Sequence, residues 1–232
     1  MIVRGAGNLR YSAQRINLMN FNPNFLIDYS IQNIESNNLA EAEKSLKQLL
    51  MIQPRNPNAY SLLSVIAAYR KDYQNALILV DKSIKLNPQN SIAHNNKGNI
   101  LKELGHYKKA ITSYETAISL QSNYAEAYNN KGNALQELSR YEEAINCYCL
   151  ATSINSNYAE AYSNKGNAMQ KLALYQKAID CYEKALQKQA DLYSAWAHMG
   201  MAFHKLKKYS DAFFCIDKAL DLSPSYSEGW AL

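Results

Sequence analysis

The side chains in this chain that could do covalent, redox or metal chemistry are four cysteines and four histidines. Cys147 and Cys149 stand two residues apart, so on a helix they point to different faces. Cys147, Cys181 and Cys215 recur at intervals of 34 residues. A redox or metal centre needs a CxxC pair or ligands clustered at short spacing. Repeating thiols of this kind, in stacked repeats about 10 Å apart, lie beyond disulfide reach. They read as small packing residues in a reducing, cytoplasmic compartment. His94, His106, His198 and His204 form neither HExxH nor a pair four residues apart. The GNLRYS stretch and the KGN tripeptides lack phosphate-loop spacing, and no GxSxG occurs. Glu142 and Glu143 suit the solvated start of a helix, where the dipole favours them. No catalytic residue, metal site or cofactor is therefore expected, and the chain reads as a non-enzyme.

The elements that must carry any other function follow from composition and period. The chain has 232 residues, 47% hydrophobic and 19% charged, enough to bury a core. No uncharged apolar run of about 18 residues occurs, so no membrane span is expected. The stretch MIVRGAGNLRYSAQRINLMNFN has no apolar signal region. Arg4, Arg10 and Arg15 precede any acid and faintly resemble a transit peptide, but residues 1–22 read better as a poorly ordered leader. The net charge of +5 is spread out, and the densest basic stretch is only Lys205, Lys207 and Lys208. That argues against a nucleic-acid partner. Eight glycines and five prolines are too few turn residues for a β-rich chain of this length. An all-helical chain is expected.

Internal repetition sets the organisation. Residues 125–158 and 159–192 match at 17 of 34 positions without a gap. The frame extends to six units, 23–56, 57–90, 91–124, 125–158, 159–192 and 193–226, and residues 227–232 restart it with Trp230 at position 4. Gly98, Gly132, Gly166 and Gly200 fall at position 8, and Pro54, Pro88 and Pro224 at position 32. Of 18 tyrosines, 14 occupy positions 4, 17, 24 or 34. Within 125–158, Tyr128, Leu135 and Leu138 share one helical face, a break follows at Ser139–Arg140, and Ala144, Ile145, Tyr148, Ala151 and Ile154 form a second amphipathic run. Small residues at positions 8 and 20 let the two helices approach, and the short loop makes them antiparallel. One hairpin cannot bury its apolar face alone, so neighbours must stack.

The period and the Tyr–Gly–Tyr–Ala–Pro pattern resemble the tetratricopeptide repeat (TPR) family over residues 23–226. The resemblance implies an all-α, right-handed superhelical solenoid of antiparallel helix hairpins. Two departures stand out. Position 7, usually leucine in the family, is Lys97, Lys131 and Lys165, which are expected to pack their stems and expose their ammonium groups. The first unit carries Asn33 at a core-like position. The units NNKGNILKELGHYKKAI, NNKGNALQELSRYEEAI and SNKGNAMQKLALYQKAI resemble those of bacterial multi-repeat TPR proteins. They also resemble the repeats preceding the catalytic domain of O-linked N-acetylglucosamine transferase-type glycosyltransferases.

That resemblance implies a concave surface lined by the first helix of each unit. Positions 2, 6, 9 and 13 share one helical face. They place two asparagine files there, Asn96/Asn130/Asn164 and Asn99/Asn133/Asn167, with His198 continuing the first. Asparagine donates and accepts, so such files can capture the backbone of an extended peptide. The expected function is a non-catalytic scaffold binding a protein or peptide in its groove. The alternative is the recognition arm of a larger enzyme, most plausibly a glycosyltransferase. Self-association through the C-terminal end is a further expectation, motivated by the uncovered Trp230. Binding of chaperone C-terminal tails is not expected: over Asn95, Asn99, Asn130, Glu160 and Asn164 the asparagines fit the carboxylate-clamp pattern, but its cations are missing.

Overall fold

The structure, a computed structural model, describes residues 22–224. Arg4, Arg10 and Arg15, Tyr226 and the restart at 227–232 with Trp230 lie outside the described residues. Twelve helices occupy the described residues, each opening and closing at the same frame position. The first helices of the units run over positions 1–13 and the second over positions 17–30. In chain order they are α1 (Pro23–Glu35), α2 (Leu39–Ile52), α3 (Pro57–Tyr69), α4 (Tyr73–Leu86), α5 (Ser91–Glu103), α6 (Tyr107–Leu120), α7 (Ala125–Glu137), α8 (Tyr141–Ile154), α9 (Ala159–Lys171), α10 (Tyr175–Lys188), α11 (Tyr193–Lys205) and α12 (Tyr209–Leu222). No strand occurs among the described residues. The fold is the all-α stack of helix hairpins expected.

The chain forms two compact units, Met1–Gly105 and His106–Leu232. In the first, α1 to α5 pack each on the next, and α1 also touches α3 and α3 touches α5. In the second, α6 to α12 pack in the same order, with α7 touching α9 and α9 touching α11. Within either unit, no second helix of one repeat reaches the second helix of the next. Each unit therefore curves with its odd-numbered helices on the inner side.

The turn inside each hairpin has one physical solution. Position 15 adopts the left-handed conformation at Asn37, Lys71, Gly105, Ser139, Ala173 and Lys207. The amide three residues past the helix end then reaches back, as in Arg140 N–H to the Leu135 carbonyl at 2.9 Å and Leu174 N–H to Met169 at 3.0 Å. This Schellman-type closure satisfies carbonyls that the helix end leaves open. Only one of the six residues is glycine, the type that takes this conformation without cost.

Helix entry changes along the chain. Asn22, Asn56 and Asn90 cap α1, α3 and α5 through their side chains. At the same place before α7, α9 and α11 stand Tyr124, Tyr158 and Leu192, without a side-chain cap. The ring at position 4 also ties down the preceding turn, in helices with and without a side-chain cap. Tyr60 Oη donates to the Pro54 carbonyl at 3.0 Å, Trp196 Nε1 donates to the Ala190 carbonyl at 2.9 Å, and His94 Nε2 lies 3.0 Å from the Pro88 carbonyl. His94 is thus held as a structural partner of the turn.

Position 8 carries the closest helix approach. A Cβ built on Gly132 would stand 2.5 Å from the Tyr148 ring, and one on Gly166 would stand 2.6 Å from Tyr182. Both tyrosines are fully buried. In the first unit Ser30 and Ser64 take position 8, also fully buried, against the smaller Leu46 and Val80 at position 24. Asn33 is nearly buried and donates from Nδ2 to the Tyr29 carbonyl at 2.8 Å, which satisfies its core-like position.

The position-7 lysines are half-buried, and the heads of two of them are paired. Lys97 Nζ lies 2.8 Å from Asp81 Oδ1, and Lys131 Nζ lies 2.8 Å from Glu115 Oε1. Each partner is position 25 of the preceding repeat.

Candidate functional site

The inner faces of the odd-numbered helices carry every residue that the sequence places in a groove. Asn96 and Asn99 lie half-buried on α5 of the first unit. Asn130 and Asn133 on α7, Asn164 and Asn167 on α9, and His198 on α11 lie half-buried in the second unit. Around them stand exposed charges at positions 2 and 13: Glu126, Glu137, Glu160, Lys171 and Lys205.

The position-9 asparagines are coupled to the buried tyrosines at position 24. Tyr148 Oη donates to Asn133 Oδ1 at 2.7 Å, and Gln136 Nε2 donates in turn to Tyr148 Oη. Tyr182 Oη lies 2.8 Å from Asn167 Oδ1 and 2.9 Å from Gln170 Oε1. A hydroxyl has one proton. The arrangement in the preceding repeat resolves this with the Gln170 amide turned over, so that its nitrogen donates to Tyr182 and Tyr182 donates to Asn167. Burial pushes both phenols well above their ordinary range, so they stay protonated donors. With Oδ1 committed to tyrosine, the Asn133 and Asn167 Nδ2 groups have no hydrogen-bond partner among the described residues.

Two of the position-6 asparagines join neighbouring repeats. Asn96 Nδ2 donates to Ser61 Oγ at 3.3 Å, and Asn164 Nδ2 donates to Asn129 Oδ1 at 3.1 Å. Asn130 Nδ2 reaches Glu126 Oε1 at 3.5 Å. Position 5 is interior: Asn95, Asn129 and Ser163 are buried. A carboxylate clamp using Asn95 would have no access to it. His198 stacks on Tyr182 with ring centroids 6.1 Å apart. Its Nδ1 is buried without a hydrogen-bond partner. Burial holds the imidazole below its ordinary pKa against the opposing pull of the Ser194 backbone, with Lys171 adding slightly, so it is neutral at physiological pH.

The cysteines are free. Burial raises the Cys147 and Cys181 thiols and pushes Cys215 up to about 11, which makes them poor nucleophiles. Among the described residues no three His, Cys, Asp or Glu side chains gather as a metal site, and no helix is long and apolar enough to cross a membrane.

The tyrosine–asparagine coupling joins two different helices, so helical spacing alone does not show it. Its signal was there, in the joint recurrence of Asn at position 9 with Tyr at position 24 in the three repeats from 91 to 192.

Comparison with known proteins agrees with this architecture. Profiles described as TPR or tetratricopeptide repeat match residues 34–91, 79–112, 98–139, 132–172, 159–191 and 193–226. No curated protein matches the chain. Among solved structures, the chain is similar to MamA, with 25% identity, a TM-score of 0.62, and coverage of 70% of this chain and 95% of that one. It is similar to PilF of Pseudomonas aeruginosa, with 18% identity, a TM-score of 0.77, and coverage of 90% and 96%. It is also similar to YrrB, described as a TPR protein with an unusual peptide-binding site, with 18% identity, a TM-score of 0.60, and coverage of 78% and 94%.

Proposed function

We propose that this chain, which belongs to the tetratricopeptide repeat family, is a non-catalytic scaffold that holds an extended segment of a partner protein along the inner helices of its second unit. The family supports protein interaction as the general role. The finer reading rests on one observation, the commitment of Asn133 and Asn167 Oδ1 to buried tyrosine hydroxyls. An amide fixed in this way has its Nδ2 donors oriented in advance. Two such amides, one repeat apart, can each take a carbonyl of an extended backbone. Pre-organised donors lose little entropy on binding, which is where affinity is gained. Glu126, Glu137 and Glu160 on α7 and α9, with Lys171 and Lys205 on α9 and α11, add charge selectivity at the rim.

The test replaces the donor and keeps the acceptor. Asn133→Asp with Asn167→Asp retains an oxygen for each tyrosine and removes each Nδ2. Proteins captured by the unsubstituted chain and identified by mass spectrometry should be lost from the variant, with helix content unchanged. Capture of the same proteins by both forms would place the binding surface elsewhere.

A further inference from the structure

The lysine ladder that links neighbouring repeats stops at α11, and a cavity lies where it stops. Position 7 pairs with position 25 of the preceding repeat at Lys97–Asp81 and Lys131–Glu115, each at 2.8 Å. At the third step position 25 is Cys149 in place of an acid, and position 7 is Lys165. At the fourth step the acid is present and the cation is missing. Position 25 of α10 is Glu183, and position 7 of α11 is Met199. Glu183 makes no ion pair among the described residues, and neither does Asp211 on α12.

Both acids, exposed on the surface, line an open pocket of about 500 Å³ between α10, α11 and α12, with Trp196, Met199, Phe203 and Phe214 in its wall. That volume falls within the usual range of ligand sites. The wall is held in place. Trp196 Nε1 is bonded to the Ala190 carbonyl, and the Trp196 and Phe214 rings meet edge to face at 6.0 Å. Glu183 and Asp211 each add to the raised pKa of Cys215, which lines the same cavity, so both acids bear on that one point. The rings already draw cations: Lys208 Nζ stands 5.8 Å from the Phe203 centroid and Lys218 Nζ 5.9 Å from that of Phe214. On α11, positions 4, 7 and 11 lie opposite positions 2, 6, 9 and 13, so the cavity faces away from the peptide groove.

We propose that this cavity receives the side chain of a lysine from a partner protein, with the alkyl stem against the aromatic wall and the ammonium on Glu183 and Asp211. The foreign lysine takes the place that Lys97 and Lys131 fill internally in earlier repeats. Aromatic surface for the stem and unpaired acids for the head are the two features that separate this site from an ordinary apolar pocket.

The test titrates Nα-acetyl-lysine N-methylamide into a chain carrying Trp230→Phe, which leaves Trp196 as the sole tryptophan reporter. A saturable change in Trp196 emission is expected, weakened by salt. Nα,Nε-diacetyl-lysine N-methylamide, which has no ammonium, should give no such change. Glu183→Gln should weaken binding by about tenfold or more. Met199→Lys should abolish it by restoring the internal pair, with helix content preserved. Three results would each overturn the proposal: no saturable response, equal binding of the diacetyl compound, or unchanged affinity in both variants.

Discussion

Replacing Gly132 with alanine tests the packing that orients the groove. An added Cβ would stand 2.5 Å from Tyr148 Cε1, 2.8 Å from Cζ and 3.0 Å from Cδ1. Ordinary contact is about 3.5–4.0 Å, so the ring must retreat by about 1 Å. It has no free room, because Tyr148 is 0% exposed and its hydroxyl is bonded to both Asn133 and Gln136. Overpacking of this kind costs about 1–3 kcal/mol, and the misalignment of one hydrogen bond about 1 kcal/mol more. Alanine returns about 1 kcal/mol through its better helix propensity. Gly132→Ala should therefore destabilise by about 2 kcal/mol. In a Tyr148→Leu background the obstructing ring atoms are gone, as at Ser30 beside Leu46 and Ser64 beside Val80. There the same change should be neutral or stabilising by up to about 1 kcal/mol, a coupling of about 2–3 kcal/mol. Guanidinium unfolding followed by circular dichroism on the four proteins of the cycle measures it. Hydrogen exchange in α7 and α8 gives the local readout that a repeat protein requires. An equal penalty in both backgrounds would refute the reasoning.

Other consequences can be measured in the same way. His198 has a folded-state pKa below its ordinary 6.5, so between those values the unfolded chain binds more protons and stability rises with pH. The urea midpoint should therefore fall on acidification below about pH 6.5, and His198→Asn should flatten that dependence. Gly105 has φ +74° and nothing within 4 Å of a built Cβ, so only the backbone conformation opposes substitution. Gly105→Val should cost about 1–2 kcal/mol, whereas Gly105→Asn, the type found at Asn37, should be nearly neutral by thermal melting. The Lys131–Glu115 pair is partly exposed, with side-chain exposures of 23% and 52%. Such a pair contributes under about 1 kcal/mol, so Lys131→Met, which copies Met199, should shift the midpoint little.

Much of the fold was legible because the sequence repeats without a gap. A period read from Gly132, Ala144 and Tyr148 places both helices of a unit, and identical positions in other units begin and end helices at the same places. The hairpin turn was harder to see. Its left-handed residue is glycine only at Gly105, and Lys71, Ala173 and Lys207 carry no signal of positive φ. The site was legible in its location and not in its wiring. Helical spacing puts Asn133 and Asn167 on the inner face. Their partners Tyr148 and Tyr182 lie 15 residues away on another helix, so no single helical face shows the pairing. The lysine ladder escaped for the same reason, since Lys131 and Glu115 belong to different repeats. Spacing gave the snorkelling of Lys131 and could not give the acid at its tip. Asn95 and Asn129 are polar and yet interior, and their buried state becomes visible only once repeats are stacked.

The most direct test of the central claim is the affinity of a captured partner segment for the second-unit groove, measured by isothermal titration calorimetry on the unsubstituted chain and on Asn133→Asp with Asn167→Asp. Loss of two oriented donors predicts affinity weaker by about tenfold or more with the unfolding midpoint little changed. Equal affinity for both proteins would contradict the account.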